Sequence, residues 1–286
     1  MRDLSRLGTT KELQLKDGRR LRYLQAGSGK PLLLLHTIRT QLDYFQAVIP
    51  QLAQHYTVYA LDLPGHGYAS IDTQAQYDEP YMRSGVIGFI EQLDLTDLTI
   101  AGESIGAVLA LTVSRHLPQR VARVIASNTY DYDTRYADGV RRGNFLANFV
   151  LFNFSIPING AIFAALENRF LLGWILRGGL GKRRSMPEEL VREFDRVGRR
   201  RGYRYVERNL LKNWRSWGQA RSLYPKQNTQ VTLVYGEKDW STVEERRRTA
   251  DTLGLNGHIT LKDTGHFAFV DNPEALVEII LDRQAT

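Results

Sequence analysis

Gly102-Glu103-Ser104-Ile105-Gly106 follows an apolar, β-like run, Leu95–Ala101, and leads into a helix-like run, Ala107–His116. A serine on a tight strand-to-helix turn is the arrangement of a nucleophile elbow, in which the hydroxyl stands clear of the chain and can meet both a carbonyl and a base. Glycines on either side remove side chains that would collide at such a turn. The pentapeptide alone is a weak signal, and its flanks and partners carry the reading.

Those partners follow in order. Val231–Tyr235 is a β-branched, aliphatic run ending in Gly236-Glu237-Lys238-Asp239, which places Asp239 on a loop just past a strand end. His258–Lys262 reads as a short strand that delivers Asp263-Thr264-Gly265-His266 to a loop. Serine, then acid, then histidine is a chain order that supports nucleophilic catalysis: Ser104 attacks, His266 takes and returns the proton, and Asp239 fixes the imidazole tautomer. Glu237, Asp131 and Asp133 are rival positions for the acid, and Asp263 is a weaker one because it shares a loop with His266.

With these motifs the chain resembles the α/β-hydrolase superfamily, from about residue 10 to the C-terminus apart from roughly 130–225. Three further segments carry the resemblance. Pro31–Leu35 with His36 resembles the strand leading to the family's His-Gly oxyanion loop. Asp62-Leu63-Pro64-Gly65-His66-Gly67 resembles its Asp-x-Pro-Gly-x-Gly loop, and Asn272-Pro273-Glu274 the start of its closing helix. The resemblance implies a mostly parallel central sheet with helices on both faces and a helical cap, with residues 1–129 and 226–286 as the core and 130–225 as the cap. By position it makes the backbone N–H groups of Ile38 and Ile105 the oxyanion donors. His36-Thr37-Ile38-Arg39 departs from the family pattern, since Thr37 stands where glycine is usual. Threonine disfavours positive φ, so the loop either takes an ordinary conformation there or carries strain. His36, Thr37 and Trp240 are candidate pocket residues. His36 is equally suited to bracing the oxyanion loop, and Trp240 to packing.

Composition is that of a globular chain: 286 residues, 43% hydrophobic and 24% charged. The absence of cysteine excludes disulfides, thiol nucleophiles and thiolate metal sites. His36 and His66 lack the spacing of a metal pair, so neither metal nor cofactor is expected. Met1–Gly8 lacks the apolar stretch of a secretory signal, which makes the cytoplasm the expected location. Strand and helix alternate after an opening hairpin at Asp17-Gly18, as in a parallel sheet.

That alternation stops after Val121–Ala126 and resumes at Gln230, a gap too long for a loop without structure of its own. Asp131 to Arg221 holds 18 Lys/Arg and 9 Asp/Glu, a balance of +9, while the remainder holds 20 and 22. The formal charge of +7 therefore resides in the cap. Its first half is apolar and aromatic, including Phe145, Phe149, Phe152, Phe154, Phe163, Phe170 and Trp174. These residues either roof a pocket for a lipophilic substrate or pack the cap onto the body. The basic clusters Lys182-Arg183-Arg184 and Arg199-Arg200-Arg201 read as a solvated face or as peripheral contact with an anionic membrane. No motif for nucleic acid accompanies them. Nothing in the sequence marks an oligomeric state.

The expected activity is cofactor-independent hydrolysis of an ester or thioester of a hydrophobic small molecule through an acyl-enzyme on Ser104. Serine at the elbow argues against dehalogenases and epoxide hydrolases, which need a carboxylate there. C–C bond hydrolases and acyltransferases use the same triad and stay open, as does a non-catalytic ligand-binding protein on this scaffold.

Overall fold

The computed structural model describes residues 3–133, 137–145, 148–149, 169–183, 185–224 and 229–282. Phe152, Phe154, Phe163 and Arg184, singled out above, lie outside the described residues, as does residue 226 at the expected core boundary.

Eight strands form one sheet: β1 (Thr9–Gln14), β2 (Arg20–Ala26), β3 (Lys30–Leu35), β4 (Tyr56–Leu61), β5 (Leu98–Glu103), β6 (Val121–Ser127), β7 (Gln230–Gly236) and β8 (Ile259–Leu261). Their spatial order is β1-β2-β4-β3-β5-β6-β7-β8. The β1–β2 and β2–β4 pairs are antiparallel, and every later pair is parallel. The central strands are continuous apolar runs because a parallel sheet is covered on both faces. Successive residues of β3 alternate between two cores, with Leu33 and Leu35 packing into one and Leu32 and Leu34 into the other.

Helices α1 (Ile49–Leu52), α2 (Glu79–Gln92) and α3 (Ile105–His116) belong to the first half of the chain. α2 starts where it does because Asp78 caps it, accepting from the Tyr81 N–H, and Pro80 occupies its first turn. Between β6 and β7 the described residues form α4 (Asp138–Arg142), α5 (Arg169–Arg177), α6 (Glu188–Gly198), α7 (Tyr203–Lys212) and α8 (Trp214–Gln219). After β7 come α9 (Val243–Leu253), opened by a capping box of Thr242 and Glu245, then α10 (Ala268–Asp271) and α11 (Pro273–Ile280). No helix among the described residues is long and apolar enough to cross a membrane.

Much of the basic character of the intervening segment is spent internally. Arg192 pairs with Glu188 at 2.6 Å and Arg199 with Asp195 at 3.0 Å. Arg200 turns inward, donating to the backbone oxygens of Gly67 and of Ala69, the latter at 3.0 Å. Arg221 and Tyr224, at the end of the segment, hold the buried Asp131 carboxylate near its start at 3.3 and 2.9 Å.

Candidate active site

The elbow is built by close contact. Ser104 has φ 61° and ψ −119°, between the end of β5 and the first turn of α3. A Cβ on Gly102 would sit 2.2 Å from the Gly106 oxygen, and one on Gly106 would sit 2.2 Å from the Leu35 oxygen. Only glycine lets the turn close while β3 passes beside it. Held this way, Ser104 is buried, and its hydroxyl has no hydrogen-bond partner among the described residues.

β7 and β8 bring the other two groups together. Asp239 Oδ1 lies 2.5 Å from His266 Nδ1, with both side chains fully buried. Asp239 Oδ2 accepts from the Ser241 N–H at 3.0 Å and from the Ser241 hydroxyl, which Arg246 Nε engages at 2.9 Å. Burial opposes the charge on Asp239, but His266 and Ser241 outweigh it and hold the carboxyl below its usual range. With Nδ1 facing the acid, Nε2 is the free ring nitrogen, and it too has no partner among the described residues. Tyr130 links the halves: its N–H donates to the Ser104 oxygen at 3.4 Å, and its ring meets His266 edge-on at 6.0 Å.

The rival acids are placed elsewhere. Glu237 accepts from the Asp263 N–H, and Asp263 pairs with Lys238 at 2.8 Å. Asp131 is tied to Arg221, Tyr224 and Thr249.

Neither the Ile38 nor the Ile105 N–H is spent on another backbone group among the described residues. The Ile105 N–H opens a 12-residue helix, where the aligned peptide dipoles favour negative charge. Thr37 takes an ordinary backbone conformation, and the left-handed residue of the loop is Arg39, at φ 65°.

His36 braces this loop. Its Nδ1–H donates to the Thr37 oxygen at 2.8 Å, and Nε2 accepts from the Leu63 N–H at 3.0 Å. Burial, with His66 nearby, pushes His36 down to about 3, so it is neutral and both nitrogens are occupied. Above Ile38 and Ile105 lies a cavity closed by Tyr130, Val140, Leu210 and Trp214, with about 20 Å³ of room, the space of roughly one water molecule. His36, Thr37 and Trp240, the candidate pocket residues, do not line it. Trp240 instead stacks on His266 and donates its Nε1–H to the Gly178 oxygen at 2.9 Å.

Two residues gain weight only in three dimensions. Asn128, just past β6, accepts from the Gly236 N–H at 2.8 Å and donates to the Gly265 and His266 oxygens at 3.2 and 2.8 Å. It fastens the acid's strand to the histidine's loop. Glu103 accepts from the Tyr44 hydroxyl and, at 2.7 Å, from the Ala268 N–H, joining the elbow to that same loop. Burial pushes Glu103 up to about 8 against these hydrogen bonds. No local pattern marks either role, since the partners lie more than 50 residues away. Among the described residues no group of three or more His, Asp or Glu side chains could hold a metal ion.

An elbow serine, an acid-backed histidine and two free N–H groups at the ends of parallel strands are the parts of an α/β-hydrolase. The chain belongs to the α/β-hydrolase fold family, whose model matches residues 30–273. Over 120 residues it is 32% identical to (E)-2-((N-methylformamido)methylene)succinate hydrolase of Acinetobacter baylyi, a match spanning 42% of this chain and 45% of that enzyme. It is 26% identical over 287 residues to an uncharacterized protein of Mycobacterium tuberculosis, covering 95% of this chain and 80% of the relative. The crystal structure of wild-type Cfl2 from Burkholderia cenocepacia shares the fold, with a TM-score of 0.78 at 21% identity over 96% of this chain and 94% of that one.

Proposed function

We propose that the chain is a cofactor-independent serine hydrolase that cleaves an ester or thioester of a hydrophobic small molecule. The observation that carries this reading is the 2.5 Å contact of Asp239 with His266, together with a Ser104 hydroxyl on its strained turn that has no partner among the described residues. In this reading His266 Nε2 takes the hydroxyl proton as Ser104 attacks the carbonyl, and Asp239 stabilises the imidazolium that forms. The Ile38 and Ile105 N–H groups receive the developing oxyanion, a contribution of about 3 kcal/mol per donor. His266 then returns the proton to the leaving group and activates the water that releases the acyl group. The apolar lining contributed by the helices between β6 and β7 suits a hydrophobic group, and those helices act as a cap over Ser104.

Hydrolysis of p-nitrophenyl esters from acetyl to long-chain acyl, by the native protein and by Ser104→Ala, tests the reading. Activity confined to the native protein supports it. Equal rates in both proteins overturn it and move C–C bond hydrolysis, acyl transfer or non-catalytic ligand binding ahead.

The cap's outer face supports a peripheral contact with anionic lipid. Phe145 and Trp174 are 84% and 58% exposed, and the Arg177 guanidinium lies 5.6 Å from the Trp174 ring centre. Co-sedimentation with anionic vesicles at low salt that is lost at high salt is the expected result. No binding at low salt would end the idea.

A further inference from the structure

Residues 178–183, Gly-Gly-Leu-Gly-Lys-Arg, leave the end of α5 and lie backbone against backbone on the loop that carries His266. A Cβ on Gly181 would sit 2.2 Å from the Asp263 oxygen and 2.7 Å from the Gly265 nitrogen, and one on Gly265 would sit 2.4 Å from the Gly179 oxygen. Contacts this close leave room only for glycine. Asp271, at the end of α10 and 2% exposed, is the node of the contact. Its Oδ2 accepts from the Gly181 N–H at 2.7 Å and the Gly265 N–H at 2.8 Å, its Oδ1 accepts from the Arg183 N–H at 2.7 Å, and the Lys182 N–H lies 3.1 Å from both oxygens. Hydrogen bonds to a carboxylate are roughly twice as strong as those between neutral groups, so this one side chain ties strap and loop firmly together.

Four backbone groups border the His266 imidazole along the chain, and each is held. Asn128 takes the Gly265 and His266 oxygens from the side of the sheet. The other two lead to the strap: the Phe267 N–H donates to the Gly179 oxygen at 3.0 Å, and the Gly265 N–H reaches the strap through Asp271. The strap also holds the ring stacked on that imidazole, since Trp240 Nε1–H donates to the Gly178 oxygen at 2.9 Å. A misplacement of a reacting group by about 1 Å can cost about 10²-fold in rate, so what fixes this backbone bears on the rate of proton transfer. We propose that Asp271 is a positioning residue for His266 and acts with the strap 178–183, so that a segment between β6 and β7 helps set the geometry of the reaction. The inference rests on the serine hydrolase reading for the reaction, but the placing of the imidazole can be measured without turnover.

Two variants disturb the contact by different means. Asp271→Asn keeps the volume but puts an amide NH2 where N–H groups need an acceptor. Gly181→Ala leaves the carboxylate alone and pries the strap from the loop, and its φ lies outside the left-handed region, so alanine acts there by contact alone. Gly173→Ala on α5, where a Cβ would meet its nearest neighbour at 3.7 Å, is the control. With p-nitrophenyl butanoate, both variants should lower kcat about tenfold with KM changed by less than about threefold, and the control should match the native protein. In resting protein labelled with ¹⁵N-histidine, the His266 ring signal, assigned by its loss in His266→Gln, should move more than those of the other five histidines. A folded variant whose His266 signal and kcat are unchanged overturns the proposal, as does a rise in KM alone or a fall in kcat that only follows the fraction unfolded. If neither variant folds, the contact serves folding and the proposal fails. A native protein without Ser104-dependent turnover removes the hydrolase reading, whereas a His266 signal displaced in both variants keeps the placing of that imidazole by Asp271 and the strap.

Discussion

The indole of Trp240 lies flat on the imidazole of His266, with ring centroids 3.8 Å apart and planes 14° apart. Phe267 and Tyr130 meet the same imidazole edge-on, at 5.6 and 6.0 Å. The stack fixes the ring plane about its bond to Asp239, and in the proposed mechanism the indole face would favour the positive charge the imidazole takes up, by about 0.5–2 kcal/mol. We therefore expect Trp240→Leu to lower kcat about tenfold with KM changed by less than about threefold, and Trp240→Phe to retain most of the activity. A rise in KM with kcat intact would show that Trp240 acts as a substrate wall instead.

Asp239→Asn keeps the side-chain volume but offers His266 an amide in place of a carboxylate. By analogy with other triads, kcat should fall about 10⁴-fold through the wrong tautomer. Because Ser241 and Arg246 hold the position independently, folding should persist. Steady-state kinetics beside a thermal melt checks both halves, and loss of activity explained by unfolding would sink the prediction.

Glu103 gives a pH signature. In the folded chain its carboxyl is pushed up to about 8, from a reference value of 4.5, chiefly by burial. Between those values the folded state holds a proton that the unfolded state has released, so this group's contribution to stability falls as pH rises from about 4.5 to about 8. Glu103→Gln cannot titrate and should lose that slope. Melting temperatures of both proteins from pH 5 to 9 are the measurement, and parallel curves would rule the assignment out.

Asn128→Ala removes three hydrogen bonds and leaves the Gly236 N–H and two carbonyls buried without them. It also places alanine at φ 48°. A loss of about 2–4 kcal/mol is expected, with kcat reduced because the acid and histidine loops are no longer fastened together. Denaturant unfolding and ester kinetics report the two effects. Unchanged stability would mean that other contacts carry the junction.

What could be read from the chain was local. Ser104, Asp239 and His266 each follow an apolar run that ends in a turn, so strand, loop and chemistry lie within about ten residues of one another. The parallel sheet follows from the same runs, and the departure at Thr37 is visible as a β-branched residue in a turn. Asn128, Glu103 and the Trp240 stack were not legible as site features, because their meaning lies in partners brought close by the sheet order. The +9 balance between Asp131 and Arg221 suggested a charged outer face, yet Arg200 buries its guanidinium against the Gly67–Ala69 turn, a packing role that charge counting misses.

Arg39 holds a left-handed backbone that glycine would adopt more easily, and its side chain spans the gap between layers. Its Nε lies 3.2 Å from Glu207 on α7, its Nη1 donates to the Phe194 oxygen on α6 at 3.4 Å, and its guanidinium lies 5.2 Å from the Tyr203 ring centre. The residue next to Ile38 is thus tied to α6 and α7. In the proposed mechanism a shift of α6 and α7 would bear, through Arg39, on the peptide that presents the Ile38 N–H. If that mechanism holds, displacing those helices would weaken the oxyanion donor without touching Ser104, Asp239 or His266.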